Sequence, residues 1–189
     1  GCTLECPLCD SDYTSSRGRH GVDSLTDLIT RANNGSNCPL IVLTGGEPFR
    51  QNLGPLCRRQ LMLRRPPRIQ IETNGAEAGP DFPWGWADIV CSPKTPKLHP
   101  AMEPQITAYK YILSADAVSP EDGLPLSALG MPYPPARPRP GFPRSMVFVQ
   151  PLDDPDEPMN KFHAAAAVES CMKYGYRLSL QTHKWLNLE

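Results

Sequence analysis

Three cysteines, Cys2, Cys6 and Cys9, stand in the pattern C-x3-C-x2-C near the start of the chain. Three thiolates on one short loop can wrap a single metal group. A 4Fe–4S cubane has four irons, and plain electron carriers ligate each of them with cysteine. Three local ligands leave one iron open to an exogenous ligand. The same triad also fits zinc with a fourth ligand elsewhere, for instance His20. The second chemical segment is Thr44-Gly45-Gly46-Glu47-Pro48. Two glycines let backbone approach a ligand closely, and the Glu47 carboxylate can pair with an ammonium. Taken alone, the segment also reads as a tight turn.

These residues must be held by regular elements. Residues 1–20 read as a polar loop. Ser24 and Asp27 resemble a capping box, with Ser24 as N-cap. Leu25, Leu28, Ile29 and Ala32 follow at helical spacing, and Asn34-Gly35 is a stop signal. The run from Leu40 to Thr44 reads as a strand buried on both faces. A helix is expected from Asn52 to Leu63, with Leu53, Cys57 and Leu61 on one face. Further strands are expected at 68–72, 88–92, 107–113, 146–150 and 176–180, and a helix from Asp156 to Tyr174 that stops at Gly175. Residues 117–143 hold eight prolines and read as an extended, poorly regular insertion.

Strands joined by crossovers imply a mainly parallel sheet and an α/β fold. The polar segments GGEP, ETNG, SPK, QPLD and QTHK each follow a strand. In such folds the carboxyl ends of strands are where sites form.

Composition narrows the classes. The 189 residues suggest a single domain. The net charge of −1 argues against a broad basic face for nucleic acid. No stretch approaches 18 apolar residues, so no transmembrane helix is expected. Seven cysteines are an odd set for a disulfide framework. They fit a reducing cytoplasm, with three on a metal and Cys38, Cys57, Cys91 and Cys171 as ordinary buried thiols. The 23 prolines and 14 glycines, about a fifth of the chain, stay under the roughly 25–30% that signals wholesale disorder.

The cysteine triad followed by GGEP resembles the radical S-adenosylmethionine (SAM) superfamily. Cys9-Asp10-Ser11-Asp12-Tyr13-Thr14 resembles the CDT-x-Y-T continuation of 7-carboxy-7-deazaguanine synthases. Glu72-Thr73-Asn74-Gly75, Ser92-Pro93-Lys94, Lys110-Tyr111-Ile112, Gln150-Pro151-Leu152-Asp153 and Gln181-Thr182-His183-Lys184 resemble that family's segments in its order. The likeness spans most of Cys2 to Leu188; the proline-rich stretch aligns to nothing.

The resemblance implies a partial, open TIM-like radical SAM barrel. It implies a carbon–nitrogen lyase that converts 6-carboxy-5,6,7,8-tetrahydropterin to 7-carboxy-7-deazaguanine with loss of ammonia, in 7-deazapurine and queuosine biosynthesis. It further implies that Cys2, Cys6 and Cys9 hold a 4Fe–4S cluster. Glu47, with Gly45 and Gly46, meets the methionine amino group of SAM, and Ser92 and Gln150 make other SAM contacts. Thr44, Gln181 and His183 face the pterin, and Glu72 and Asn74 line the same face. Ser11 stands where the family has threonine, and its hydroxyl is expected to bind Mg2+. A homodimer and a flavodoxin-like or ferredoxin-like electron donor are implied as partners.

The family's first strand, with a QGEG-like segment and an arginine, is not in this sequence. The chain starts at Gly1 without Met, so the expectation is a fragment of reduced activity. Another small radical SAM enzyme, such as a glycyl-radical-enzyme activase, is the rival reading; a non-catalytic metal-binding module is a third. Neither would be expected to combine ETNG, QPLD and QTHK.

Overall fold

The computed structural model describes residues 1–12, 18–33 and 40–186. Asn34-Gly35 and Cys38 lie outside the described residues. Helix α1 spans Val22–Asn33, β1 Leu40–Leu43 and α2 Gly54–Leu61. Strands β2 Arg68–Thr73, β3 Ala87–Cys91, β4 Ala108–Leu113 and β5 Val147–Pro151 follow. Helix α3 spans Glu157–Tyr174, β6 Arg177–Leu178 and α4 Thr182–Trp185.

The six strands form one open, wholly parallel sheet in chain order, β1 to β6. Every strand therefore ends on the same side, and all the polar post-strand segments gather there. The α/β reading and the open parallel sheet hold.

Burial alternates along β2 and β4. Ile69, Ile71, Ile89, Tyr109, Tyr111, Leu113 and Val149 form the packed core. The opposite face of these strands carries polar Gln70, Glu72 and Lys110, which are only partly buried. The sheet is thus packed on one face and polar on the other, unlike the parallel sheet covered on both sides.

Several local expectations need correction. Among the described residues β1 pairs on one side alone, with β2, and it is not buried on both faces here: Leu40 and Val42 are 36% and 43% exposed. α1 starts before Ser24, because Leu25 N–H already donates to Gly21 C=O at 3.0 Å. Ser24 lies in the first turn, and its hydroxyl faces His20 Nδ1 at 3.5 Å. α2 is shorter than expected at both ends, with Asn52 Oδ1 accepting from Gly54 N–H ahead of it. Gly175 does end α3, in the left-handed conformation at φ 77°. β6 is two residues long rather than the expected 176–180, and the segment after it is a short helix.

The crossovers from β2 to β5 hold single 3₁₀ turns at 84–86, 103–105 and 144–146 and no α-helix. Prolines remove N–H donors and fix φ, so helix does not propagate there. The proline-rich stretch 117–143 likewise has no strand or helix beyond one bridge between Val118 and Pro125. It is nonetheless packed, with Leu124, Ala128, Met131 and Ala136 buried. Its carbonyls are satisfied by side chains from the body of the fold. Ser170 Oγ donates to Gly123 O, Tyr174 OH to Pro120 O and Tyr176 OH to Asp122 O, all within 2.8 Å. Tyr111 OH donates to Ala136 O at 2.7 Å. Side-chain donors thus replace a backbone ladder that proline cannot supply.

Candidate active site

A cavity of about 780 Å³ opens at the carboxyl ends of the strands. The three cysteines of the first loop line it together. So do Ser11, Thr44, Gly45 and Gly46, the strand-end residues Ser92 and Gln150, and Gln181. Glu72 and Asn74 lie in the same wall. Residues far apart in sequence thus converge as expected, with two exceptions.

The first exception is Glu47. It is 1% exposed and does not line the cavity. Its Oε1 accepts from Phe49 N–H at 3.0 Å and from Thr73 Oγ1 at 2.8 Å, and its Oε2 accepts from Asn74 N–H at 2.8 Å. Burial pushes the carboxyl pKa up, opposed by these donors. The side chain expected to meet a ligand ammonium is instead a brace between the ends of β1 and β2. The second exception is His183, which falls on α4 with its side chain outside the described residues.

In GGEP the first glycine serves the backbone path and the second the protein's own packing. Gly45 has φ 128°. A Cβ on Gly46 would meet Gly1 O at 2.4 Å and Cys2 Cβ at 3.0 Å. Glycine is required there so that the cysteine loop can lie against the strand end. Three further contacts fix that loop. Glu47 N–H donates to Gly1 O at 3.0 Å, Arg50 donates to Cys2 O at 2.6 Å, and Asn74 Nδ2 donates to Thr3 Oγ1 at 3.2 Å.

Two lysines of the cavity wall carried no role in the sequence reading. Lys94 Nζ donates to Ser92 O at 2.7 Å and to Ser92 Oγ at 2.6 Å. Burial pulls its pKa down to about 8, and the Cys6 and Cys91 sulfurs oppose that. Burial pushes the Cys6 thiol up, with Lys94 opposing. Lys110 pairs with Glu72 at 2.6 Å across the inner face. The signal for both was a lysine inside or just after an apolar strand. At the far rim, Asp10 Oδ2 accepts from Gln181 Nε2 and Lys184 Nζ, each at 3.2 Å, and Lys184 also pairs closely with Asp153. Burial pushes the Asp10 carboxyl up, but these donors outweigh it and leave it below its ordinary range.

The donor set fits a cubane. Among the described residues no three His, Cys, Asp or Glu side chains converge closely enough to hold a single metal ion. A cubane's ligands stand on separate corners, and three half-buried thiols around one cavity, beside a buried ammonium, suit that spread and its negative charge. The hydroxyl of Ser11 and the carboxylate of Asp10, neighbours at the rim, are hard oxygens suited to Mg2+.

Comparison with known proteins agrees. No family model matches the chain. The 7-carboxy-7-deazaguanine synthase of Rhodospirillum rubrum is 42% identical over 199 aligned residues, covering all of this chain and 81% of that protein. The synthase of Rickettsia prowazekii is 34% identical, covering all of this chain and 77% of its own length. The crystal structure of QueE from Escherichia coli matches with a TM-score of 0.64 at 19% identity, covering 96% of this chain and 82% of that one. That structure speaks to the fold, and the fold agrees. Identity at this level over the whole length, with one cavity gathering the segments that carry it, makes this chain a member of the 7-carboxy-7-deazaguanine synthase family, radical SAM lyases that use a 4Fe–4S cluster, SAM and Mg2+.

Proposed function

We propose that this chain converts 6-carboxy-5,6,7,8-tetrahydropterin to 7-carboxy-7-deazaguanine, with loss of ammonia, in the cavity at the strand ends. The observation that carries the reading is the single wall shared by the three cysteines and the ends of β1, β2, β3 and β5. Cys2, Cys6 and Cys9 hold the cluster. Backbone at Gly45 and Gly46, with Ser92 and Gln150, holds SAM. Thr44 and Gln181 orient the pterin, His183 is assigned to the same substrate by the family resemblance alone, and Ser11 ligates Mg2+. When bound, the cluster and SAM supply hydrogen-atom abstraction at the pterin.

The chain's own task is to position and to exclude. Lys94 fixes the Ser92 hydroxyl and carbonyl at the strand end. Lys110 and Glu72 present a paired charge to the bound ring from the sheet floor. Asp10, Lys184 and Gln181 draw the segment after β6 over the cysteine loop, which narrows the route for water.

A homodimer is supported by the outer face of α3, where Phe162, Val168 and Met172 are 61%, 41% and 83% exposed. A flavodoxin-like or ferredoxin-like donor reaches the cluster loop at its exposed Leu8 and Arg50. The buried, unpaired thiols of Cys57 and Cys91 suit a reducing cytoplasm. Among the described residues no helix is long and apolar enough to cross a membrane.

The test is anaerobic reconstitution with iron and sulfide. Expected are a visible absorption band that changes on adding SAM, and 7-carboxy-7-deazaguanine by mass spectrometry when pterin, reductant and Mg2+ are present. A reconstituted protein that cleaves SAM but forms no deazaguanine at any Mg2+ concentration would overturn the reading.

A further inference from the structure

Among the described residues, Leu129 is the one non-glycine residue with a left-handed backbone, at φ 53°. Gly130 follows at φ 76°. The turn is closed by Met131 N–H on Ala128 O at 3.2 Å and by Ser127 Oγ on Met131 O at 2.6 Å. Two consecutive positive φ values are met at little cost by Gly, Asn or Asp. Leucine there pushes its Cβ toward the following carbonyl. A bulky residue kept in such a conformation points to what its side chain touches.

The turn sits on the cysteine loop. Leu129 C=O accepts from Leu8 N–H at 3.2 Å, and a Cβ on Gly130 would stand 3.2 Å from Pro7. Leu129 lines the cavity of about 780 Å³ and also a neighbouring cavity of about 150 Å³ that Leu8 and Leu152 line as well. Ile112, on the inner face of β4, is the other apolar residue common to both. Leu129 and Ile112 thus form a partition between the two spaces.

We propose that Leu129 is a positioning residue of the reaction. Its backbone steadies the cysteine loop through Leu8, and its side chain closes the reaction cavity against the smaller one, keeping water and quenching groups from the reacting pair. The proline-rich segment is then a working wall of the site. This rests on the cavity assignment made above. Left-handed backbone fixes the carbonyl, while side-chain volume makes the partition, so the two roles separate by mutation.

The experiment compares the parent with Leu129→Gly, Leu129→Ala and Leu129→Met. Iron per chain stays at the parent level in all three, because the carbonyl remains. Leu129→Gly melts about 2–4 °C above Leu129→Ala, since both lose the side chain and only glycine escapes the strain. The ratio of 5′-deoxyadenosine released to deazaguanine formed rises on the order of tenfold in the Gly and Ala variants, and Leu129→Met, which refills the gap, stays near the parent. Oxygen bleaches the cluster band faster in Gly and Ala than in parent or Met, a readout that needs no turnover. A parent that makes no deazaguanine overturns the functional reading, and the bleaching rates then decide the partition alone. Equal bleaching and equal coupling in parent and Leu129→Gly would reduce Leu129 to a turn residue, as would loss of iron in Leu129→Gly.

Discussion

The Glu47 carboxylate accepts the backbone N–H of Asn74 at 2.8 Å and so ties the end of β1 to the end of β2. The same carboxylate takes two more donors, from Phe49 and Thr73. A carboxylate only accepts, whereas an amide must turn its NH2 toward one of these donors. Glu47→Gln is therefore expected to cost about 1–3 kcal/mol of stability, read by denaturant unfolding of the cluster-free protein. If Glu47 met the SAM ammonium directly, Glu47→Gln would instead unfold like the parent and lose only SAM affinity.

Lys184 bridges Asp10 and Asp153. Burial lowers its pKa, the two carboxylates raise it by more, and the net shift is upward. A raised amine contributes stability that is fully present below its unfolded value of about 10.4 and is lost as pH climbs through the higher folded value. The difference in melting temperature between parent and Lys184→Met should stay constant through neutral pH and shrink only above about pH 10.4. Amide exchange over residues 181–186 should quicken in the variant at neutral pH. Unchanged exchange there would remove the bridge as a restraint on α4.

Burial pushes Cys57 up to about 11 and Cys91 up to about 12. Both are buried away from the cavity that Cys2, Cys6 and Cys9 line. Cys57→Ala, Cys91→Ala and Cys171→Ala should keep near-normal iron, with Cys57→Ala and Cys91→Ala melting earlier because each empties a fully buried site. Alanine at Cys2, Cys6 or Cys9 should abolish iron binding. Loss of iron in Cys91→Ala alone would break the three-ligand assignment.

Ser11 lies at the cavity wall two residues after Cys9. Ser11→Ala should raise the Mg2+ concentration for half-maximal rate on the order of tenfold. Ser11→Thr should match or exceed the parent, because the same oxygen returns on a stiffer side chain. Iron content should not change in either. Overlapping Mg2+ curves for parent and alanine variant would remove Ser11 from the metal site.

What the sequence disclosed was what local chemistry writes. The C-x3-C-x2-C loop, the period of β2 and β4, and the stop at Gly175 are each legible within a few residues. A four-residue apolar run such as Leu40–Leu43 carries no mark of how it is covered, so its exposure could not be read. Glu47 reads equally as a ligand or a brace, and only the three donors around it decide. Lys94 stood in view after its strand, but its position there does not tell that it is buried against Ser92. Asp10 and Lys184 meet across 174 residues, beyond any periodicity. The proline-rich stretch lacks a hydropathy period because side-chain hydroxyls and Arg137, not a ladder, hold its backbone.

The chain-order sheet has a consequence for how the enzyme is made. Each strand as it leaves the ribosome can dock on the one synthesised just before it, with no gap kept open for a later arrival. The mouth of the site is different: its rim waits for Gln181 and Lys184, which reach back to Asp10. During synthesis the scaffold is thus built before the rim is closed, and the thiols of Cys2, Cys6 and Cys9 stay open to whatever delivers iron and sulfide until Gln181 and Lys184 arrive.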